Sequence, residues 1–169
     1  MKPTKTKSTT IIPIEMRRVI DALGDNWIFR TDSDGESHGG FAWGAVGVWT
    51  EAPDWNPKPV CGGGLHGQGP GGYGYAHKDG KRFVFCETSG KRVVVEGDKI
   101  KVKRARILFV GADAWNAMLY ATKRNWPGSL DLRGCDLKGI TLPTSVGGYL
   151  DLSGAKNVPQ ELPTANVVR

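Results

Sequence analysis

The chain has 169 residues, enough for one domain or for one domain with an appendage. Hydrophobic residues make up 39% of it, which suffices for a packed core, while 24 glycines and 10 prolines argue against a helical bundle. The formal net charge of +6 is compatible with an acidic partner, and no apolar run reaches the roughly 18 residues that a membrane span needs.

The N-terminal segment, residues 1–12, is predicted to be a disordered basic tail that carries Lys2, Lys5 and Lys7. No apolar stretch follows these lysines, so we expect no secretory signal. The three cysteines are few and odd in number, which favours free thiols over a disulfide framework. Together these features predict a cytoplasmic protein.

Residues 13–125 are predicted to form one α+β globular domain. Apolar spacing indicates a helix from Ile14 to Leu23 that Gly24 ends, and a second helix from Ala112 to Asn125. Strands are predicted for residues 82–87 and 92–95, and a longer strand runs from Lys99 to Val110. The alternation of that last strand changes phase at Lys103-Arg104, which predicts a β-bulge there. The pattern favours a small, mainly antiparallel sheet with flanking helices.

Residues 126–169 contain a unit of 20 residues written twice. Leu130-Asp131-Leu132 matches Leu150-Asp151-Leu152, and Leu142-Pro143-Thr144 matches Leu162-Pro163-Thr164. A fixed period of this length is typical of stacked repeats, so we predict a short β-solenoid of two turns. The first turn should pack on the globular domain, and residues 155–169 or a partner should cap the second. The repeated aspartates are expected to cap turns rather than to catalyse.

The repeat text resembles the L-P-x-x-V-G-G-x-L-D-L-x-G repeats of phage and prophage proteins. Four other segments resemble a small domain of phage and bacterial proteins that has no assigned activity: Gly39 to Phe41, Glu51 to Pro57, Cys61 to Gly67 and Lys103 to Gly111. This resemblance implies an accessory protein of a mobile element. The chain departs from longer relatives in having only two repeat turns.

Basic residues are concentrated between positions 78 and 106. Alternation places Lys99, Lys101 and Lys103 on one strand face, and Arg104 and Arg106 follow. This is the strongest electrostatic feature of the chain, and it favours an acidic macromolecular partner or nucleic acid. The alternative is a solvated face whose lysines blunt an edge strand.

The glycine-rich segment from Cys61 to Gly72 holds His66, which we group with the basic strand as a candidate binding surface. The loop lacks the lysine and the following helix of a phosphate-binding loop, so nucleotide binding by that motif is not expected. Cys61, His66, His77 and Cys86 have the ligand types of a zinc site, but their spacing matches no compact zinc motif. Neither a metal nor another cofactor is expected.

An enzyme is the alternative interpretation of this segment. His66 would act as a general base, with Glu87, Asp54 or Asp32 to orient it. A transferase resembling ADP-ribosyltransferases would use Arg30 or His66, an aromatic at Tyr73 or Tyr75, and Glu87 or Glu96 as the acid. The sequence pattern expected of such enzymes is not intact.

Three tryptophans lie in an acidic, turn-rich segment. Trp43 and Trp49 are predicted to be buried, whereas Trp55, between two prolines, is a candidate surface anchor. The expected function is therefore binding without catalysis. The expected partner is a host protein or a protein–nucleic-acid complex, bound by a monomer or homodimer that inhibits host machinery or counters its defences. The alternatives are the enzyme and a nucleic-acid-binding module.

Overall fold

A computed structural model describes residues 12–37, 40–77, 82–96 and 98–169, except for the side chains of residues 75–77. The fold is α+β, with two helices and two sheets in that part of the chain. The helices are α1, Ile14–Leu23, and α2, Gly111–Ala121. The strands are β1 (Trp27–Asp32), β2 (Trp49–Glu51), β3 (Leu65–Gly67), β4 (Tyr75–His77), β5 (Arg82–Val95), β6 (Lys99–Val110), β7 (Asn125–Trp126), β8 (Ser129–Asp131), β9 (Ser145–Asp151) and β10 (Thr164–Val168).

The first sheet is antiparallel and has the order β1-β5-β6-β2, with β3 also paired to β6. The prediction of two separate strands within β5 is wrong, because one strand continues through Gly90. Gly90 and Lys91 together lie opposite Lys103, since Ser89 pairs with Arg104 and Arg92 with Val102. The irregularity predicted near Lys103 is thus confirmed, but the extra residue belongs to β5.

This sheet separates two apolar clusters because alternate side chains of its strands point to opposite faces. Trp27 and Phe29 join the larger cluster, whereas Ile28 joins the smaller one. The larger cluster also contains the buried faces of both helices and of residues 126–152. The smaller cluster is covered by the loops that precede β2 and β3.

Helix α1 has the predicted bounds, but α2 ends four residues before the predicted Asn125. Lys123 and Arg124 both adopt left-handed backbone conformations, with φ of 51° and 60°. The carbonyl of Met118 in the last turn accepts both the backbone N–H of Thr122 at 3.0 Å and its Oγ1 at 2.8 Å. The helix stops here because the chain must turn directly into β7. None of the helices in the described ranges is long and apolar enough to cross a membrane.

The second sheet is parallel and has the order β10-β9-β8-β4, with β7 also paired to β9. Leu130 pairs with Leu150 and Asp131 with Asp151, so the two repeats lie side by side at their sequence period. Strand β4 extends the sheet on one side, and β10 covers β9 on the other. Of the two caps expected for the second repeat, residues 155–169 or a partner, the first contributes β10, which pairs with β9. The sheet part of the fold is therefore not uniformly antiparallel.

The repeated segment contacts α2. The indole Nε1 of Trp115 donates to the carbonyl of Thr141 at 2.8 Å, and Leu130 and Leu150 are buried in the cluster that contains Trp115. The backbone N–H groups of Arg133 and Ser153 donate to Asp131 and Asp151 at 3.0 and 2.9 Å. This confirms the turn-capping role of the aspartates. The domain boundary at 125/126 stays a prediction, and residues 1–11 of the basic tail lie outside the described residues.

Candidate functional site

Lys101 lies inside the protein, although it belongs to the most basic strand. Its side chain is fully buried, and its Nζ donates to the carbonyl oxygens of Lys58, Val60 and Gly62 at 2.7, 2.8 and 3.0 Å. The prediction that Lys99, Lys101 and Lys103 form one exposed face is therefore wrong for Lys101. A buried ammonium group requires hydrogen-bond acceptors, and the loop before β3 supplies all three.

This contact explains the sequence of the glycine-rich loop. A Cβ atom added to Gly64 would lie 2.5 Å from Cγ of Lys101, so a larger residue there would displace the lysine. The carbonyl groups of the loop point inward to a cation, whereas a phosphate site requires converging amide groups. Residues 65–67 form strand β3, and no helix follows it in the described chain before α2.

A cavity of about 720 Å³ lies along β1. Its lining comes from both apolar clusters and from the loops at residues 37–43 and 52–64. The volume falls in the range of small-molecule sites. Aromatic and aliphatic side chains line most of it, and its charged or titratable lining residues are Arg30, Asp54, His66, Lys99 and Asp131.

Arg30 reaches the cavity from β1. Its guanidinium group lies over the ring of Trp43, with Cζ 4.2 Å from the ring centroid. Nε and Nη2 donate only long hydrogen bonds, of 3.4 and 3.3 Å, to the carbonyl of Thr31. Burial lowers the pKa of Arg30 despite the nearby Asp32, which instead pairs with Arg82 at 2.7 Å. Among the described residues, no carboxylate forms a salt bridge with Arg30.

His66 lies on β3 and lines the same cavity. Its Nε2 is buried and has no hydrogen-bond partner within the described chain. Burial lowers the pKa of His66, and the positive charges of Lys99, Lys101 and Arg30 lower it further. The imidazole is therefore kept neutral at a site where the surrounding charge is positive.

Of the residues proposed for catalysis, Arg30 and His66 line this cavity, whereas Glu87, Glu96 and Tyr73 do not. Glu87 does not line it, and its Oε2 accepts a hydrogen bond from Nε of Arg106 at 2.6 Å. Tyr73 packs against Trp27 and Trp126 in the larger apolar cluster, and Glu96 lies exposed in a turn. Of the carboxylates proposed to orient His66, Asp54 lines the cavity with it, whereas Glu87 and Asp32 do not. The side chain of Tyr75 lies outside the described residues.

The zinc alternative is not supported by the described part of the chain, which holds no group of three or more side chains placed to bind a metal. Cys86 is completely buried in the middle of β5, and burial raises the pKa of its thiol to about 12. Cys61 is exposed, and its Sγ accepts a hydrogen bond from Nζ of Lys99 at 3.2 Å. The side chain of His77 lies outside the described residues.

A second candidate site lies at the other edge of the antiparallel sheet, which is formed by β2. Pairing of β2 with β6 brings Trp49 opposite Arg106, and the guanidinium groups of Arg104 and Arg106 lie 4.5 and 4.8 Å from its ring centroid. The preceding loop exposes Val46 and Val48 by 55% and 53%, and Lys103 is also exposed. We call this surface the Trp49 patch; it consists of Val46, Val48, Trp49, Lys103, Arg104 and Arg106.

The burial of the three tryptophans differs in part from the sequence-based expectations. Trp43 is buried as predicted, but Trp49 is only half-buried under the two arginines. Trp55, the expected surface anchor, is half-buried against the smaller cluster. Sequence reasoning missed Trp49 as a binding residue because it lies far from Arg104 and Arg106 in the chain. The only available signal was the possibility that the short segment at Trp49 pairs with the basic strand.

No protein-family model, no curated protein and no solved structure matches this chain. The resemblance of its repeats to phage proteins therefore has no support beyond the motif itself. What the protein binds must follow from the geometry, burial and charge of the cavity and of the Trp49 patch.

Proposed function

We propose that this protein acts by binding an acidic protein surface through the Trp49 patch. The observation that carries the proposal is the stacking of Arg104 and Arg106 on Trp49 beside two exposed valines. Tryptophan and arginine are the residue types most enriched among the energetically dominant residues of protein interfaces. Exposed apolar side chains next to them add area that a partner can bury.

The charges of the patch favour a protein over nucleic acid. Arg106 is paired with Glu87 at 2.6 Å, and Arg104 lies 3.7 Å from Glu51. Nucleic acid binding depends on several cations that neutralise phosphates, and here two of the three are already opposed by carboxylates. Within the described part of the chain, Lys103 is the one cation of the patch without a carboxylate partner, which suits an interface with one or two acidic side chains in the partner.

The biological setting belongs to the same proposal. The motif of the repeats resembles repeats in phage proteins, so the partner would be a host protein in the bacterial cytoplasm. Binding would inhibit host machinery or counter a defence. We also propose that residues 126–169 form a β-solenoid of two turns. The parallel pairing of Leu130 with Leu150 at the repeat period supports this, because stacked repeats align equivalent residues.

The test is capture of partners from a bacterial lysate, with and without nuclease treatment, by three forms of the full chain. The patch variant carries Lys103→Glu and Arg104→Glu. The matched control carries Lys138→Glu and Lys156→Glu, which make the same change of charge at exposed positions outside the patch. We expect the wild type and the control to retain the same discrete protein, and the patch variant to retain about tenfold less of it.

Two outcomes would contradict the proposal. Equal retention of the partner by the patch variant would show that the Trp49 patch does not bind it. Retention that disappears on nuclease treatment, and that falls steeply with added salt, would instead identify nucleic acid as the partner.

A further inference from the structure

The cavity along β1 contains polar groups whose hydrogen-bonding capacity the protein leaves unused. Trp43 is only 8% exposed and lines the cavity, yet its indole Nε1 has no hydrogen-bond partner among the described residues. Nε2 of His66 is likewise buried and unpartnered there. Buried donors and acceptors in native proteins are almost always paired, so polar atoms of this kind at a cavity wall are available to a bound ligand or to water.

The charge of the lining indicates the sign of that ligand. Asp131 is neutralised by Arg133, whose Nη2 lies 2.6 Å from its Oδ2. This leaves two cations, Arg30 and Lys99, against one anion, Asp54. The lining therefore has one net positive charge, which a monoanion would balance. Arg30 suits this role because a guanidinium group offers several donors to one carboxylate.

The remaining lining indicates the rest of the ligand. Phe29, Phe41, Phe83 and Trp115 contribute aromatic surface, and Leu65, Leu130 and Leu132 contribute aliphatic surface. Apolar walls with a few placed polar groups are typical of sites for small organic molecules, in which the polar groups fix the orientation. An inorganic anion would leave most of the cavity unfilled.

We propose that the cavity binds a small organic carboxylate whose apolar body lies against the aromatic lining and whose carboxylate accepts hydrogen bonds from Arg30 and from Nε1 of Trp43. No residue of the Trp49 patch lines the cavity. The proposal is therefore independent of the partner-binding function, and each can fail without the other.

Isothermal titration calorimetry tests the proposal with benzoate, phenylacetate and hexanoate as carboxylate probes. Benzamide is the neutral probe of the same shape as benzoate, and inorganic phosphate is the anion without an apolar body. We expect at least one carboxylate to bind saturably at millimolar concentration, and benzamide and phosphate to bind at least about tenfold more weakly. In ¹⁵N-resolved NMR spectra, the bound carboxylate should shift the indole N–H resonance of Trp43, which a Trp43→Phe variant identifies.

Variants separate the two donors. Arg30→Gln should weaken carboxylate binding at least about tenfold, because it removes the charge and the paired donors. Trp43→Phe keeps an aromatic ring beneath Arg30 but deletes the N–H group, and it should weaken binding about fivefold even if Arg30→Gln does not fold. Lys138→Gln makes the same change of charge as Arg30→Gln at an exposed position outside both the cavity and the Trp49 patch, and it should leave the affinity unchanged.

Any of three results would overturn the proposal. The first is that no carboxylate binds at millimolar concentration. The second is that benzamide binds as tightly as benzoate, which would make the cavity an apolar site without anion recognition. The third is that Arg30→Gln, or Trp43→Phe where the former does not fold, binds the carboxylate as well as the wild type does.

Discussion

Lys101 shows how a single side chain organises the loop before β3. Its ammonium group is held by three backbone carbonyl oxygens, and its aliphatic stem passes over Gly64. These carbonyl groups would otherwise need water or other donors, because the loop has little regular structure of its own. The lysine therefore fixes the loop that forms one wall of the cavity.

Replacing Lys101 by methionine should destabilise the protein. Methionine keeps the length of the stem but leaves three carbonyl oxygens without their donor, at a cost of about 2–4 kcal/mol in the free energy of unfolding. Urea denaturation measures this free energy. Lys103→Met, at an exposed position of the same strand, should change it by less than about 0.5 kcal/mol. Equal stability of the Lys101 variant and the wild type would show that the loop does not depend on this contact.

The lowered pKa of His66 predicts how the stability of the protein depends on pH. Its pKa in the folded protein lies below the ordinary 6.5, because of burial first and then of the nearby Lys99, Lys101 and Arg30. Between these two pKa values the unfolded chain binds a proton that the folded protein does not bind. The contribution of His66 to the free energy of unfolding is therefore fully present above about pH 6.5. It is lost as the pH falls from there through the lowered pKa of the folded protein.

The measurement is the free energy of unfolding at about pH 7.5 and about pH 5.5 for the wild type and for His66→Gln. The wild type should lose more stability on acidification than the variant, since other titrating groups contribute equally to both proteins. If the two proteins show the same dependence on pH, His66 is not held neutral by its surroundings.

At the scale of elements, local patterns predicted α1 and β6 with their observed bounds. Both elements have a periodicity that their own residues determine. The end of α2 and the continuity of β5 could not be predicted, because the first depends on the turn into β7 and the second on pairing with β6. Alternation alone also placed Lys101 on the exposed face, since it contains no information about the loop that covers it.

The repeated unit allows a test of the proposed solenoid. Stacked repeats interact mainly with their neighbours, so a further copy of the unit should extend the sheet without disturbing the rest. We expect a chain with a second copy of residues 135–154 inserted after Gly154 to remain folded. Its unfolding should depend more steeply on urea than that of the wild type, because more surface is exposed on unfolding.

The control for that insertion is a glycine- and serine-rich segment of the same length at the same position. It should form a flexible loop and should leave the steepness unchanged. An inserted repeat that behaves like this control, or one that prevents folding, would contradict a modular solenoid.

At the scale of the whole molecule, both candidate sites depend on contacts between distant segments. Arg30 and His66 were named from the sequence as alternative catalytic residues, but their meeting in one cavity with Trp43 follows from the pairing of β1, β5, β6 and β3. The repeats complete this cavity, since Leu130 and Leu132 line it. A single sequence gives the residue types of such a site but not which of them share a wall.

The Trp49 patch and the cavity give the molecule two separate surfaces with different proposed ligands. The patch residues lie on β2, on the loop before it and on β6, and none of them lines the cavity along β1. We therefore expect a bound carboxylate to leave partner binding by the Trp49 patch unchanged. The patch variant should in turn bind the carboxylate as tightly as the wild type does.

The most direct test of the proposed function is hydroxyl-radical footprinting of the protein alone and in complex with its captured partner. Oxidation of tryptophan side chains is read by mass spectrometry, and the chain provides its own comparison in Trp49 and Trp55, both half-buried in the free protein. We expect oxidation of Trp49 to fall several-fold in the complex while oxidation of Trp55 stays the same. Protection of Trp55 with no change at Trp49 would contradict the account, because the partner would then lie on the glycine-rich loop and not on the Trp49 patch.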